Sequence, residues 1–313
     1  MSIAFTFPGQ GSQAVGMGKA LAEAFPVARA VFDEVDDALG QKLAALMWDG
    51  PEAELTLTAN AQPALMAVSL ATMRVLEDKG FDLGTKVAYV AGHSLGEYSA
   101  LAAAGSLSIA DTARLLRIRG SAMQAAVPVG EGAMAALLGL EFDAAMAVAA
   151  EAAQGEVCQA ANDNGGGQVV VSGARAAVER AVEIAKAKGA KRALLLNVSA
   201  PFHCALMQPA ADAMAAALAG VAIKAPVVPL VANVLAAPIT DPAEIRARLV
   251  EQVTGTVRWR ESVAWMAEAG VTTLYEVGSG KVLSGLVKRI APSASGTAVN
   301  TPADIDAVIA ALA

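Results

Sequence analysis

Val87-Ala88-Tyr89-Val90-Ala91, followed at once by Gly92-His93-Ser94-Leu95-Gly96, is the stretch on which the fold turns. Five apolar or aromatic residues predict a buried strand, and the small-residue run after Gly96 predicts a helix. Between strand and helix, G-x-S-x-G is a nucleophile elbow, with Ser94 on a turn so sharp that side chains two positions either side would meet backbone. The helix beginning at Leu95 directs free amides and its positive dipole end at that turn, so the Leu95 amide is placed to donate to an oxyanion. Ser94-Leu95-Gly96-Glu97 also fits a helix cap, but a cap needs neither Gly92 nor Gly96.

Outward from the elbow, short apolar runs alternate with helical periodicity, which predicts an α/β fold. Residues 3–7 form a strand that runs into Pro8-Gly9-Gln10-Gly11-Ser12, and a long helix is expected over 61–79. Ser108 and Asp111 fit a capping box at the start of a further helix. The middle then changes character: strand 132–138, helix 142–153, strands 157–161 and 168–172, helix 174–186, strand 192–196. That β-α-β-β-α-β order is the ferredoxin-like pattern. After Val198 the alternation resumes, with strands at 228–232 and 273–277. The expectation is an α/β hydrolase-like catalytic body with a parallel sheet, residues 1–127 and 198–313, interrupted by a ferredoxin-like subdomain at 128–197.

Composition limits the function. With 55% hydrophobic and 17% charged residues over 313 positions, the chain can bury a large core and is not of the disordered class. A formal charge of -7 argues against a general nucleic-acid binder. The uncharged run 193–211 contains Asn197, Pro201, His203 and Pro209, so it does not form a clean membrane helix. Nothing basic leads into an apolar run at the amino terminus, and Cys158 and Cys204 are too few for a disulfide framework; a cytoplasmic protein is expected. No metal cluster, phosphate loop or dinucleotide fingerprint is present, so no bound cofactor is expected.

Serine needs a base, and there are two histidines. His93 adjoins Ser94, and consecutive side chains on a tight turn diverge. His203, in Ser199-Ala200-Pro201-Phe202-His203-Cys204, is left as the base; Ser before His is also the order of hydrolase-like elbows. No aspartate stands in an evident third position, which leaves a backbone carbonyl as an alternative orienter. Arg114, Arg117 and Arg119 lie on the helix after the elbow. Residues two apart project from different faces, so at most one of Arg117 and Arg119 points at the site, where it would grip a free carboxylate.

Phe7-Pro8-Gly9-Gln10-Gly11-Ser12-Gln13 and Gly92-His93-Ser94-Leu95-Gly96-Glu97-Tyr98 together resemble the malonyl-CoA:acyl-carrier-protein transacylases of fatty-acid synthesis. Arg119-Gly120, Met123-Gln124, Gly132-Ala133-Met134-Ala135, Ala161-Asn162, Gln168-Val169-Val170 and Pro201-Phe202-His203 follow in the family's order. The resemblance implies transfer of malonyl from malonyl-CoA to the phosphopantetheine thiol of acyl carrier protein through malonyl-Ser94. It also implies His203 as base, oxyanion-hole amides from Gln10 and Leu95, Arg119 on the malonyl carboxylate, and a main-chain carbonyl at Gln252 orienting His203. Phe202 lines the acyl pocket in the form that goes with malonyl. Coenzyme A is then a substrate carrier. Gly255-Thr256 replaces a common proline near Gln252, and Cys204 replaces a frequent serine.

An acidic carrier needs a positive surface, and Lys186, Lys188, Lys191 and Arg192 are the densest basic cluster. A serine thioesterase or esterase shares the elbow and histidine, while Arg119 and the Phe7–Gln13 motif argue against it. A decayed carrier-binding module is disfavoured because Ser94, His203, Arg119 and Gln10 are all retained. A transacylase serving a polyketide pathway fits the same residues. A monomer is expected.

Overall fold

The computed structural model describes residues 2–312. Its first strands are β1 (Ser2–Phe7) and β2 (Tyr89–Gly92). Four more follow in the middle of the chain: β3 (Gly132–Leu138), β4 (Cys158–Asp163), β5 (Gln168–Ala174) and β6 (Arg192–Leu195). The last four are β7 (Leu230–Ala232), β8 (Ala237–Ile239), β9 (Val271–Val277) and β10 (Ser295–Val299).

Six of these make one sheet in the order β10-β9-β1-β2-β7-β8. Every pairing in it is parallel except β7 with β8. The sheet is covered on both faces, which is why every residue of β1 after Ser2 is buried. One face packs on the Thr58–Asp78 helix, where Leu65, Val68 and Leu76 are buried with Phe5 and Phe7. Against the other lie Trp259, Val263, Leu283 and Leu286. β1 and β2 run side by side with Phe7 opposite Gly92, so the loops leaving their carboxyl ends emerge together. That is where open α/β sheets bind ligands.

The other four strands make a separate antiparallel sheet, β4-β5-β3-β6. Two helices, Phe142–Ala153 and Arg175–Ala187, share with it a core of Leu137, Val148, Val171 and Val178. Alternation along β3 divides its side chains between two environments: Ala133, Ala135 and Leu137 enter this small core, while Met134 joins the main one.

Differences from the sequence reading are local. The long helix starts at Thr58, three residues earlier than the pattern suggested, and carries Pro63 within it. The strand before the elbow is Tyr89–Gly92, shorter at its start than residues 87–91 suggested; Val87 instead closes a short turn of helix with its amide on Leu83 O. Two strands escaped the pattern. β8 is three residues long and contains Pro238, and β10 is Ser-Gly-Thr-Ala-Val, too small and polar to register as a strand core. Among the described residues no helix is long and apolar enough to cross a membrane, and no cluster of His, Cys, Asp or Glu could hold a metal.

Candidate active site

Ser94 sits at the turn with φ 55°, the left-handed region that a non-glycine residue occupies only when its surroundings hold it there. The flanking glycines are what permit the turn. A Cβ on Gly92 would lie 1.9 Å from the carbonyl carbon of Gly96, and one on Gly96 would lie 2.2 Å from Phe7 O. Ser94 does not cap the helix. The cap position is Leu95, and the Ser94 hydroxyl instead meets His203 Nε2 at 2.7 Å. Asn233 fastens the turn, its Oδ1 accepting from Ser94 N at 2.8 Å and its Nδ2 donating to Gly92 O at 2.7 Å.

His203 lies on the loop before the Gln208–Ala219 helix, with φ 58°, and is buried. Its Nδ1 is 2.9 Å from Gln252 O. A carbonyl can only accept, so Nδ1 carries the proton and Nε2 presents a lone pair to Ser94. Burial, then the nearby Arg119 charge, lowers the His203 pKa to about 3, so the imidazole is neutral at physiological pH. The glycine at position 255 does not disturb this loop: Gly255 N bonds Glu251 O at 2.9 Å and closes the turn that aims the Gln252 carbonyl.

Of the three arginines on the Ile109–Ala125 helix, Arg119 is the one that reaches Ser94. Arg114 pairs with Asp111, and Arg117 bonds Asn60 and Gln41. Arg119 is 1% exposed, and its partners are three neutral oxygens: Gln62 Oε1 at 2.8 Å, Gln252 Oε1 at 2.8 Å and Ser94 Oγ at 3.0 Å. Its Nε is buried without a partner among the described residues. Burial pulls its pKa down, but a guanidinium starts so high that it stays charged. A cation held among neutral groups beside the Ser94 hydroxyl has unused capacity for an anion.

A cavity of about 300 Å³ opens over these groups, lined by Gln10, Leu95, Met134, Leu196 and Phe202 among others. Neighbouring amides at the elbow are taken: Ser94 N by Asn233, Gly96 N by His93 O, Glu97 N by Ser94 O. Among the described residues no acceptor engages the amides of Leu95 or Gln10, which leaves both for a ligand. The Gln10 side chain is tied back by Thr58 Oγ1 at 2.7 Å. Cys204 is fully buried with its thiol on Pro201 O, and burial pushes its pKa up, as suits a packing residue.

Sequence reasoning missed Gln62, Glu97 and Asn233, and left His93 without a task. His93 Nε2 meets Asn164 Oδ1 at 3.0 Å, joining the elbow to the loop after β4. Glu97 is buried against Gln252 and Asn233. Its position three residues after Ser94 was the one available signal, and it resembled a cap.

The acyl transferase domain model matches residues 4–302. This chain belongs to the acyl transferase family. The acyltransferase is 50% identical over 307 residues to the malonyl CoA-acyl carrier protein transacylase of Salmonella typhimurium, covering 98% of each chain. It superposes with a TM-score of 0.98 on the acyl-carrier-protein S-malonyltransferase of Bartonella henselae, 60% identical, covering 100% of this chain and 99% of that one. A malonyl-transacylase solved in complex with its type II polyketide acyl carrier protein gives 0.95 at 47% identity, covering 100% and 99%.

Proposed function

We propose that this acyltransferase moves malonyl from malonyl-CoA to the phosphopantetheine thiol of acyl carrier protein, for fatty-acid elongation. The observation that carries the reading is Arg119, buried, charged, and 3.0 Å from the hydroxyl that His203 is placed to deprotonate. Ser94 Oγ attacks the thioester carbonyl as His203 Nε2 takes its proton. The Gln10 and Leu95 amides stabilise the oxyanion; the C–S bond breaks, and His203 returns the proton to the departing coenzyme A sulfur. The carrier thiol then attacks malonyl-Ser94 with the same groups, its proton passing through His203 to Ser94. Gln252 O orients His203 throughout, and Arg119 holds the malonyl carboxylate with Phe202 against the acyl chain. The exchange of thioester for ester and back is redox-neutral and calls for no resident cofactor.

The same reading treats residues 1–127 and 198–313 as a hydrolase-like body and 128–197 as a ferredoxin-like lobe. The strand-turn-helix at Ser94 supports the first description, and the 2-3-1-4 order of the lobe's strands supports the second. Carrier docking falls on the lobe. Lys186 and Lys188 are engaged by Glu183 and Glu151 on the surface, while Lys191 and Arg192 lead into Leu194, Leu195 and Leu196, which are 44%, 47% and 37% exposed. Leu196 also lines the cavity. A basic and apolar strip ending at the pocket suits an acidic partner that must deliver a thiol there. The protein acts as a cytoplasmic monomer.

The test is incubation with malonyl-CoA or acetyl-CoA, an acid quench and intact-protein mass. A malonyl adduct on Ser94, weaker for acetyl and lost in Ser94→Ala, is the expected result. Free malonate without an adduct would make the protein a thioesterase, and neither product would remove the reading altogether.

A further inference from the structure

Glu97 carries a buried carboxyl that the proposed transfer does not use. It lies on the Gly96–Ala103 helix, 1% exposed, and its Oε2 accepts from Gln252 Nε2 at 2.6 Å and from Asn233 N at 3.3 Å. Neither partner is charged. The cation that faces it is Arg119, one amide group away: Nη2 of Arg119 donates to Gln252 Oε1 at 2.8 Å, and the other end of that amide donates to Glu97. The amide has a single workable orientation. Ser94 O, Glu97 Oε2 and Asn233 Oδ1 all stand on the Nε2 side and all accept, so the amide oxygen is left for the guanidinium.

A buried guanidinium among neutral oxygens and a buried carboxylate without a cation in contact are each costly alone. Linked through one polarisable amide, each offsets part of the other's cost. We infer that Glu97 is the resident counter-charge of Arg119 and a specificity-determining positioning residue, and that it takes up a proton from solvent when a malonyl carboxylate arrives to neutralise Arg119 in its place. This rests on the malonyl-transfer reading of the site. Two carboxylates around one cation would leave net negative charge in a water-poor pocket, and the cheapest relief is protonation of the one that is less directly paired. Burial holds Glu97 up to about 7, against the pull of its Gln252 and Asn233 bonds and of Arg119, so it can titrate near neutrality. An acetyl group brings no carboxylate and leaves the resting pairing in place.

The other ionisable groups around Glu97 are few. Arg119 comes from the Ile109–Ala125 helix, Tyr98 from its own helix, His203 from the loop before Ala205, and His93 from the elbow. Burial pushes the Tyr98 phenol up and pulls His93 down. β1 and β7 contain no ionisable side chain, and the buried residues of Thr58–Asp78 include none. His203 and His93 are the other groups able to accept a proton when an anion enters.

The experiment is calorimetric titration of Ser94→Ala with malonyl-CoA and with acetyl-CoA near pH 8, in two buffers of different ionisation enthalpy. Buffer-dependent heats for malonyl-CoA should report uptake approaching about one proton per ligand, and acetyl-CoA should report none. Adding Glu97→Gln should abolish the uptake. Equal malonyl heats in both buffers, or uptake that survives Glu97→Gln and so belongs to one of the histidines, would overturn the inference. A second readout needs no Glu97 variant: in the wild-type protein the KM for malonyl-CoA should climb above pH 7 by up to about tenfold per unit, while that for acetyl-CoA stays flatter. A malonyl profile as flat as the acetyl one would count equally against it. Absence of any malonyl adduct on wild-type Ser94 defeats the malonyl reading itself, whereas an adduct without proton uptake defeats the role of Glu97 alone.

Discussion

Ser94 is held at three of its atoms: His203 and Arg119 act on the hydroxyl, Asn233 on the amide, Gln252 on the carbonyl. Arg119→Ala should therefore weaken malonyl loading by about 3–5 kcal/mol, the usual cost of stripping one partner from a buried ion pair, and acetyl loading by much less. Single-turnover loading with the two donors measures the difference. Opposed effects of pH on stability also follow. His203 is neutral when folded down to about pH 3, while the unfolded residue charges near 6.5, so its contribution is complete above 6.5 and is lost as pH falls towards 3. Glu97 has the opposite sign. Its raised pKa favours the folded state below about 4.5, and that advantage disappears as pH rises to about 7. Denaturant unfolding at pH 5 and 8 should show Glu97→Gln gaining on the wild-type chain at the higher pH. These residues differ in legibility. Ser94 and His203 could be read because a glycine pair and a scarcity of histidines single them out. Gln62, Glu97 and Asn233 could not, because a polar residue bonded inside a core looks in sequence like one bonded to water.

At the scale of elements, the elbow is a junction of backbones with no spare space. Gly96→Ala would drive a Cβ into Phe7 O, and relief would require β1 and the helix to part. A loss of about 3 kcal/mol, the upper end for overpacking, is expected, together with collapse of Ser94 acylation. Thermal melting and adduct yield measure the two effects. An unchanged melt would show that the junction is slacker than its distances indicate. The six elements from β3 to β6 were legible because strand and helix periodicities alternate cleanly between 132 and 195. β8 and β10 were not, because a short strand with proline, or one built of small residues, draws its stability from neighbours rather than from its own pattern.

Over the whole molecule, the two sheets are joined close to the site. Asn162 bridges to Val257, Asp163 N bonds Val257 O at 3.0 Å, and the Asp163 carboxylate meets Arg260 at 2.7 Å. With the His93–Asn164 bond, these ties hold the end of β4 beside the Ser94 turn. Docking belongs to this scale. Lys191→Glu with Arg192→Glu should raise the KM for carrier protein at low salt and leave loading from malonyl-CoA unaffected, which separate assays of the two half-reactions would reveal. A carrier KM that does not move would place docking elsewhere. The division of the cavity has a further consequence. Ser94 and Leu95 belong to the large sheet's elbow, whereas Met134 belongs to the small sheet and Leu196 to the segment that leaves it. The large sheet's elbow thus supplies the floor of the cavity and the small sheet part of its roof. A change of side-chain size at Met134 or Leu196 would recut the roof while the floor, hemmed in by main-chain atoms, stayed in place.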